Sequence, residues 1–134
     1  MKATILAVDD SKAIRFLLQS IFGKEYNVVT ASDACSAMYW LGKKNFPSMI
    51  IADPEMPDCE NWDLIYNLKN SGLYGDIPVV VLTGLPEDEV RLKCLELQVS
   101  KYFLKPFNPL ELVDFVKEIT EPVENYQHLT GKAS

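Results

Sequence analysis

Short, uninterrupted apolar runs punctuate the chain at Thr4–Val8, Met49–Ala52 and Val79–Leu82. Runs of this length without polar alternation are what strands buried on both faces require. Val28–Thr30 and Tyr102–Leu104 read as two further strands. Between them the apolar spacing changes to that of a helix. Ile14, Leu17, Leu18, Ile21 and Phe22 share one face, with Gly23 as a stop. Ala34, Ala37, Met38 and Leu41 do the same before Gly42, and Leu64, Ile65 and Leu68 form a third helix ending near Gly72. Val90, Cys94 and Leu97 mark a fourth, and Leu112, Val113, Val116 and Ile119 a fifth, closed by Pro122. Asp10 or Ser11, Ser32 or Asp33, and Asn108 ahead of Pro109 are suitable N-caps. Strand and helix thus alternate five times. That pattern predicts a parallel sheet with helices on both faces and right-handed crossovers.

The 134 residues, 48% hydrophobic and 24% charged, suit one domain that needs neither disulfides nor a structural metal. Residues 1–120 are expected to form it, with 121–134 as a polar tail or the start of a linker. The net charge of −6 disfavours direct nucleic-acid binding by this domain. No apolar run is long enough for a membrane span. Met1–Val8 runs into Asp9-Asp10, not a small-residue cleavage site, so no signal peptide is expected. Cys35, Cys59 and Cys94 lack metal-type spacing and read as free thiols of a cytoplasmic protein. Cys59, close to Asp53, is the one to watch. A single histidine, His128, cannot build a histidine metal cluster.

In an open parallel sheet, ligands bind beyond the carboxyl ends of the strands. The first strand delivers Asp9 and Asp10, the third Asp53, the fourth Thr83 and Gly84, the fifth Lys105 and Pro106. Two carboxylates about 4 Å apart repel by roughly 4 kcal/mol at an effective dielectric near 20. Three together call for a cation or a raised pKa, and Mg²⁺ suits one or two carboxylates plus waters and a phosphoryl oxygen. Lys105 adds positive charge and Thr83 a neutral donor. Aspartate is a competent nucleophile for an acyl phosphate. The residues therefore point to an Mg²⁺-dependent aspartyl-phosphate site.

Val8-Asp9-Asp10-Ser11, Ile51-Ala52-Asp53-Pro54-Glu55-Met56-Pro57, Val81-Leu82-Thr83-Gly84 and Tyr102-Phe103-Leu104-Lys105-Pro106-Phe107 follow in order at successive strand ends. With these motifs the chain resembles the CheY-like receiver domain of two-component response regulators over about residues 3–120. The expected fold is a doubly wound, five-stranded parallel sheet, (βα)5, in the flavodoxin-like order 2-1-3-4-5. The resemblance implies that Asp53 accepts a phosphoryl group from a histidine kinase or phosphotransfer protein. It implies that Asp10, Asp53 and the backbone carbonyl of Glu55 ligate Mg²⁺, with Asp9 acting through water. Lys105 would pair with phosphoryl oxygens, Thr83 would sense them, and Tyr102 would change rotamer. The Lys105–Pro106 bond matches one usually cis in the family. Output would run through the face of the fourth helix, fifth strand and fifth helix, to a downstream protein or a second copy.

Some positions depart from the family pattern. Gly84 replaces alanine and keeps the site open. Asn61 replaces a glycine and tolerates positive φ, whereas Gln98 replaces one without that property. Pro54 removes an N–H beside the nucleophile. Trp40 and Trp62 read as packing or helix-surface residues, and Glu87, Asp88 and Glu89 as a favourable helix start with no further role. A degenerate receiver that serves only as an interaction module ranks second. A small Asp/Mg²⁺ phosphatase would carry Asp-x-Asp at the first strand, where this chain has adjacent aspartates. In a flavodoxin-like cofactor binder, Asp9 and Asp10 would repel the phosphate. The protein is thus expected to be a phosphoacceptor with at most self-catalysed phosphorylation and dephosphorylation.

Overall fold

The computed structural model describes residues 2–121. The elements run β1 (Thr4–Val8), α1 (Lys12–Phe22), β2 (Asn27–Ala31), α2 (Ala34–Gly42), β3 (Met49–Ala52), α3 (Asp63–Lys69), β4 (Val79–Thr83), α4 (Glu87–Leu97), β5 (Lys101–Leu104) and α5 (Pro109–Thr120). All strands are parallel and ordered β2-β1-β3-β4-β5, as the sequence leads one to expect. The expected tail lies, but for Glu121, outside the described residues, as do Pro122 and His128.

Alternate strand residues feed two apolar layers. Leu6, Val8, Ile50, Ala52, Val79 and Val81 meet Ala37 and Leu41 of α2, Leu64, Ile65 and Leu68 of α3, and Val90 and Cys94 of α4. On the opposite face Ile5, Ala7, Met49, Ile51, Val80 and Leu82 meet Leu18 and Phe22 of α1 and Leu112 and Val116 of α5. The three central strands are covered on both sides, which is why their sequences show no polar alternation.

Local chemistry sets the helix ends. Ser11 caps α1 by accepting from Ile14 N–H at 3.3 Å, Asp33 caps α2 through Ser36 N–H at 2.7 Å, and Asn108 caps α5 through Leu110 N–H at 2.9 Å. The third helix stops at Lys69, short of Gly72. Two glycine replacements resolve differently from expectation. Gln98 takes φ 60° at the end of α4 and so preserves the left-handed turn that glycine favours. Positive φ after β3 falls on Trp62, at 74°, and not on Asn61. Trp62 is 4% exposed, so tertiary packing of the indole holds a backbone state that a bulky residue resists.

Register brings the chemistry to one edge. Val8 pairs with both Ala31 and Ala52, Ala52 with Val81, and Thr83 with Leu104. The ladder then runs one residue beyond the strands. Asp9 N–H donates to Ala31 O at 3.0 Å, Asp53 N–H to Val8 O at 3.0 Å, and Lys105 N–H to Thr83 O at 2.8 Å. Sheet hydrogen bonds therefore fix the backbones of all three charged residues.

Candidate functional site

Asp9 is 1% exposed and Asp53 4%, each standing where an apolar strand ends. Lys105 reaches between them from the end of β5. Its ammonium donates to Asp9 Oδ2 and to Asp53 Oδ2, both at 2.8 Å. The other oxygen of each carboxylate is also occupied. Asp9 Oδ1 accepts from Ser11 N–H at 2.9 Å, and Asp53 Oδ1 from Glu55 N–H at 2.8 Å. Buried charges persist only when paired and hydrogen-bonded in this way.

Burial pushes the Asp9 carboxyl above the ordinary aspartate range, against the pull of the Lys105 and Ser11 hydrogen bonds. For Lys105, burial lowers the pKa, but the hydrogen bonds and charges of Asp53 and Asp9 outweigh it and the net shift is upward. Asp10 is exposed, and one carboxylate oxygen from each of Asp9, Asp10 and Asp53 lies within 4.8 Å of the others. Lysine supplies one positive charge against three carboxylates. The donors are all oxygen, so the cluster fits a hard divalent cation such as Mg²⁺.

Thr83 is fully buried at the end of β4, and its hydroxyl oxygen accepts from Leu85 N–H at 3.0 Å. The hydroxyl proton is thus left to donate elsewhere. Tyr102, half-buried on β5, donates its hydroxyl to Glu87 at 3.1 Å. Burial, then the Glu87 hydrogen bond and charge, raise its phenol pKa. The Lys105–Pro106 peptide is cis.

The model of the response regulator receiver domain family matches residues 5–117. The chain belongs to that family. Among curated proteins, this receiver domain is 33% identical over 133 residues to histidine kinase P4 of Formosa agariphila, covering 99% of the chain and 9% of the kinase. It is 34% identical over 120 residues to the phosphate regulon transcriptional regulatory protein PhoB of Escherichia coli, covering 89% of the chain and 52% of PhoB. The receiver domain thus spans about half, or far less, of the length of these relatives. Among solved structures it is similar to the chemotaxis response regulator CheY4 of Vibrio cholerae, with TM-score 0.78 and 27% identity over 89% of this chain and 99% of that one. The receiver domain of a signal transduction histidine kinase from Syntrophus aciditrophicus aligns with TM-score 0.80 and 27% identity, over 90% of this chain and 92% of that one. Phosphorylation-based two-component signalling is the general function of such a receiver domain. No helix among the described residues is long and apolar enough to cross a membrane.

The receiver domain brings Asp9, Asp10, Asp53 and Lys105 into one cluster, with Thr83 and Tyr102 on the adjoining strands. Glu55 follows Asp53 and touches its carboxylate through its N–H, so its carbonyl stands in the same loop. Three sets of contacts escaped the sequence reading. Arg15 Nη1 donates to the Asp9 carbonyl at 2.9 Å and holds the turn from β1 into α1. Trp62 Nε1 donates to Glu89 at 3.3 Å. Asp58 accepts from Ala34 N–H at 3.0 Å and Cys35 N–H at 2.8 Å, tying the Asp53 loop to the start of α2. The expectation that Glu87 and Glu89 have no role beyond the helix start is therefore corrected, since each accepts from an aromatic donor. Only the position of Arg15, one turn after the Asp9-Asp10 pair, offered a signal; the other contacts span 27 and 24 residues and leave no local mark.

Proposed function

We propose that this receiver domain is a phosphorylation-controlled switch that accepts a phosphoryl group on Asp53 from a histidine kinase or phosphotransfer protein. The observation that carries the reading is the Lys105 ammonium held 2.8 Å from oxygens of both Asp9 and Asp53. In the transfer, an Asp53 carboxylate oxygen attacks the phosphorus of a phosphohistidine. A P–O bond forms as the P–N bond breaks, and the histidine nitrogen leaves with the electron pair and takes up a proton. Lys105, which donates to Asp53 Oδ2, follows the charge onto the phosphoryl group. Asp10, Asp53, the Glu55 carbonyl and, through water, Asp9 would hold Mg²⁺, which supplies charge neutralisation at the phosphoryl oxygens. Water later hydrolyses the acyl phosphate and resets the switch; no other substrate is assigned.

Aspartyl phosphate adds close to two negative charges at the sheet edge. The Thr83 hydroxyl, whose oxygen already accepts from Leu85, donates its proton to a phosphoryl oxygen. That charge-assisted bond is worth roughly 1.5–3 kcal/mol, enough to reverse a two-state population of a few per cent. Movement of Thr83 opens space for Tyr102, on the neighbouring strand, to leave Glu87 and turn inward. The α4–β5–α5 face then changes and reads out to a downstream protein or a second copy. Residues 1–120 form the switch, with 121–134 as tail or linker, and the domain works in the cytoplasm.

A test combines acetyl phosphate, Mg²⁺ and intact-mass measurement. Wild type gains a phosphoryl group and Asp53→Asn does not; equal labelling of the variant rejects the assignment. One observation favours a second reading, an inert interaction module. Pro54, buried directly after Asp53, offers no backbone N–H to a phosphoryl group. Absence of labelling in wild type, with Mg²⁺ and a competent donor, would select that module.

A further inference from the structure

The first turn of α2 and the loop behind Asp53 share a hollow of about 240 Å³ that the proposed phosphoryl transfer does not use. Its lining holds two thiols from separate elements, Cys35 of α2 and Cys59 of the loop, together with Asp58 and Asp63. Both thiols are free, Cys35 exposed and Cys59 half-buried. Cys94, by contrast, is buried on α4 and does not line the hollow.

Asp58 holds the two walls together. The first N–H groups of a helix have no partner within it. The cap Asp33 serves the one of Ser36. The Asp58 carboxylate takes the two before it, from Ala34 at 3.0 Å and from Cys35 at 2.8 Å. Cys59 is the next residue after Asp58 and packs against the apolar layer beneath α2 and α3. One side chain, one hydrogen bond and one peptide unit therefore separate the backbones of the two cysteines. A disulfide spans Cα atoms about 4.4–6.8 Å apart. Pro57, Asp58 and Glu60 are exposed, so little packing opposes an adjustment of the loop to that span.

We propose that Cys35 and Cys59 form a dithiol that hydrogen peroxide oxidises to an intramolecular disulfide, and that this bridge slows phosphoryl transfer to Asp53. Cys35, the exposed thiol, meets the oxidant. Its thiolate attacks one peroxide oxygen. An S–O bond forms as the O–O bond breaks, and the departing hydroxide takes up a proton to become water. The Cys59 thiolate then attacks the sulfenic sulfur. The S–S bond forms, the S–O bond breaks, and a second hydroxide leaves and is protonated to water. Two thiols thus give two protons and two electrons to one hydrogen peroxide. Burial, then the charges of Asp58 and Asp63, push the Cys59 thiol up, so it reacts second and through proximity. Disulfides in a reducing compartment are transient, which suits a signal.

The dithiol stands by itself, whereas its control of Asp53 rests on the phosphoacceptor reading. Both Asp53 oxygens are engaged, Oδ2 with Lys105 and Oδ1 with the Glu55 N–H. Taking a phosphoryl group on one oxygen and Mg²⁺ on the other rearranges these bonds, and the Glu55 loop shifts with them. The hydrogen bonds from α2 to Asp58 can exchange with water and let the loop go. A covalent bridge cannot, and it closes a ring of chain that contains β3 and Asp53.

The test treats the reduced full chain with equimolar hydrogen peroxide and maps peptides without reductant. Trypsin cuts after Lys43 and Lys69, so each cysteine lies on its own peptide. The expected main product is a Cys35–Cys59 crosslink that dithiothreitol reverses. In urea that selectivity should vanish, with Cys94 joining the crosslinks. Cys94→Ala should keep the native crosslink, and Cys35→Ser and Cys59→Ala should each abolish it. Cys35 is exposed, so Cys35→Ser leaves the fold intact. With acetyl phosphate and Mg²⁺, the oxidised chain should gain a phosphoryl group at least about threefold more slowly than the reduced one. Dithiothreitol should restore the rate, and peroxide should not alter the rate of Cys35→Ser. A native crosslink to Cys94, dimers linked through Cys35, or sulfinic acid on Cys35 with Cys59 still free would overturn the dithiol. The expected crosslink with equal labelling of both forms would overturn its control of Asp53. A reduced chain that takes no phosphoryl group rejects the phosphoacceptor reading and that control together, while the crosslink still decides the dithiol.

Discussion

The indole N–H of Trp62 donates to the carboxylate of Glu89 at 3.3 Å, joining the loop behind Asp53 to the first turn of α4. Trp62 is also buried, and its own N–H donates to the Pro54 carbonyl at 2.9 Å. One residue thus ties the Asp53 loop to the helix proposed to move. It does so from a backbone conformation, φ 74°, that a bulky side chain disfavours.

Trp62→Gly sets two effects against each other. Glycine relieves about 1–2 kcal/mol of left-handed backbone cost. Loss of a buried Trp costs about 3–5 kcal/mol. Packing wins, and urea unfolding should show a net loss of about 2–3 kcal/mol. Trp62→Phe should keep most of the stability yet remove the bond to Glu89, and amide exchange at the start of α4 should then quicken.

Lys105→Met leaves two nearly buried carboxylates facing each other. In metal-free buffer at neutral pH it should lose about 3 kcal/mol, the scale for removing one partner of a buried pair. Mg²⁺ should shrink the deficit, and so should acidification, because Asp9 already tends toward protonation. In wild type the Lys105 pKa is raised above its unfolded value, so its stabilisation is complete below about pH 10.5 and fades as pH rises beyond that. Urea midpoints from pH 8 to 11.5 should fall more steeply for wild type than for Lys105→Met.

Asp10→Ala removes one of three clustered carboxylates. Mg²⁺ titration followed by Trp62 fluorescence should show affinity reduced by at least about tenfold, since a ligand and a charge go together. Unchanged affinity would count against the proposed coordination.

Asp58 is held below the usual aspartate range by the Cys35 and Ala34 N–H groups. A lowered folded pKa means stabilisation that is present above the unfolded value and lost as pH falls through the folded one. Asp58→Asn should therefore be less stable than wild type at pH 7, and the gap should close below about pH 4. Thermal melts across that range check the sign.

Thiol labelling should follow burial. Cys35 is exposed, Cys59 half-buried with its pKa raised by burial and by the charges of Asp58 and Asp63, and Cys94 buried with its thiol pushed up to about 11. A disulfide reagent at pH 8 should modify Cys35 first and Cys94 only on unfolding. Fast labelling of Cys94 in the native state would contradict its place on the buried face of α4.

The ordered apolar runs, the helix periods and the polar residues that stop each strand are local features, and residues 2–121 fold where those features say. Asp9, Asp53, Thr83 and Lys105 were legible because a parallel sheet sends every strand's carboxyl end to one edge, so position along a run already states position in space. Asp33 and Asn108 were legible as caps because a cap bonds within its own turn. What bonds to what across that edge was not local. The bridge of Lys105 to both aspartates depends on the register of β1, β3 and β5. The left-handed turn passed from Asn61 to Trp62 because indole burial outweighs a residue's intrinsic φ preference. Glu87 and Glu89, which the sequence offers only as acids at a helix start, gained aromatic donors because packing sets β5 and the Asp53 loop against α4. Side-chain partners tens of residues apart are chosen by the packed core, and no period in the chain encodes them.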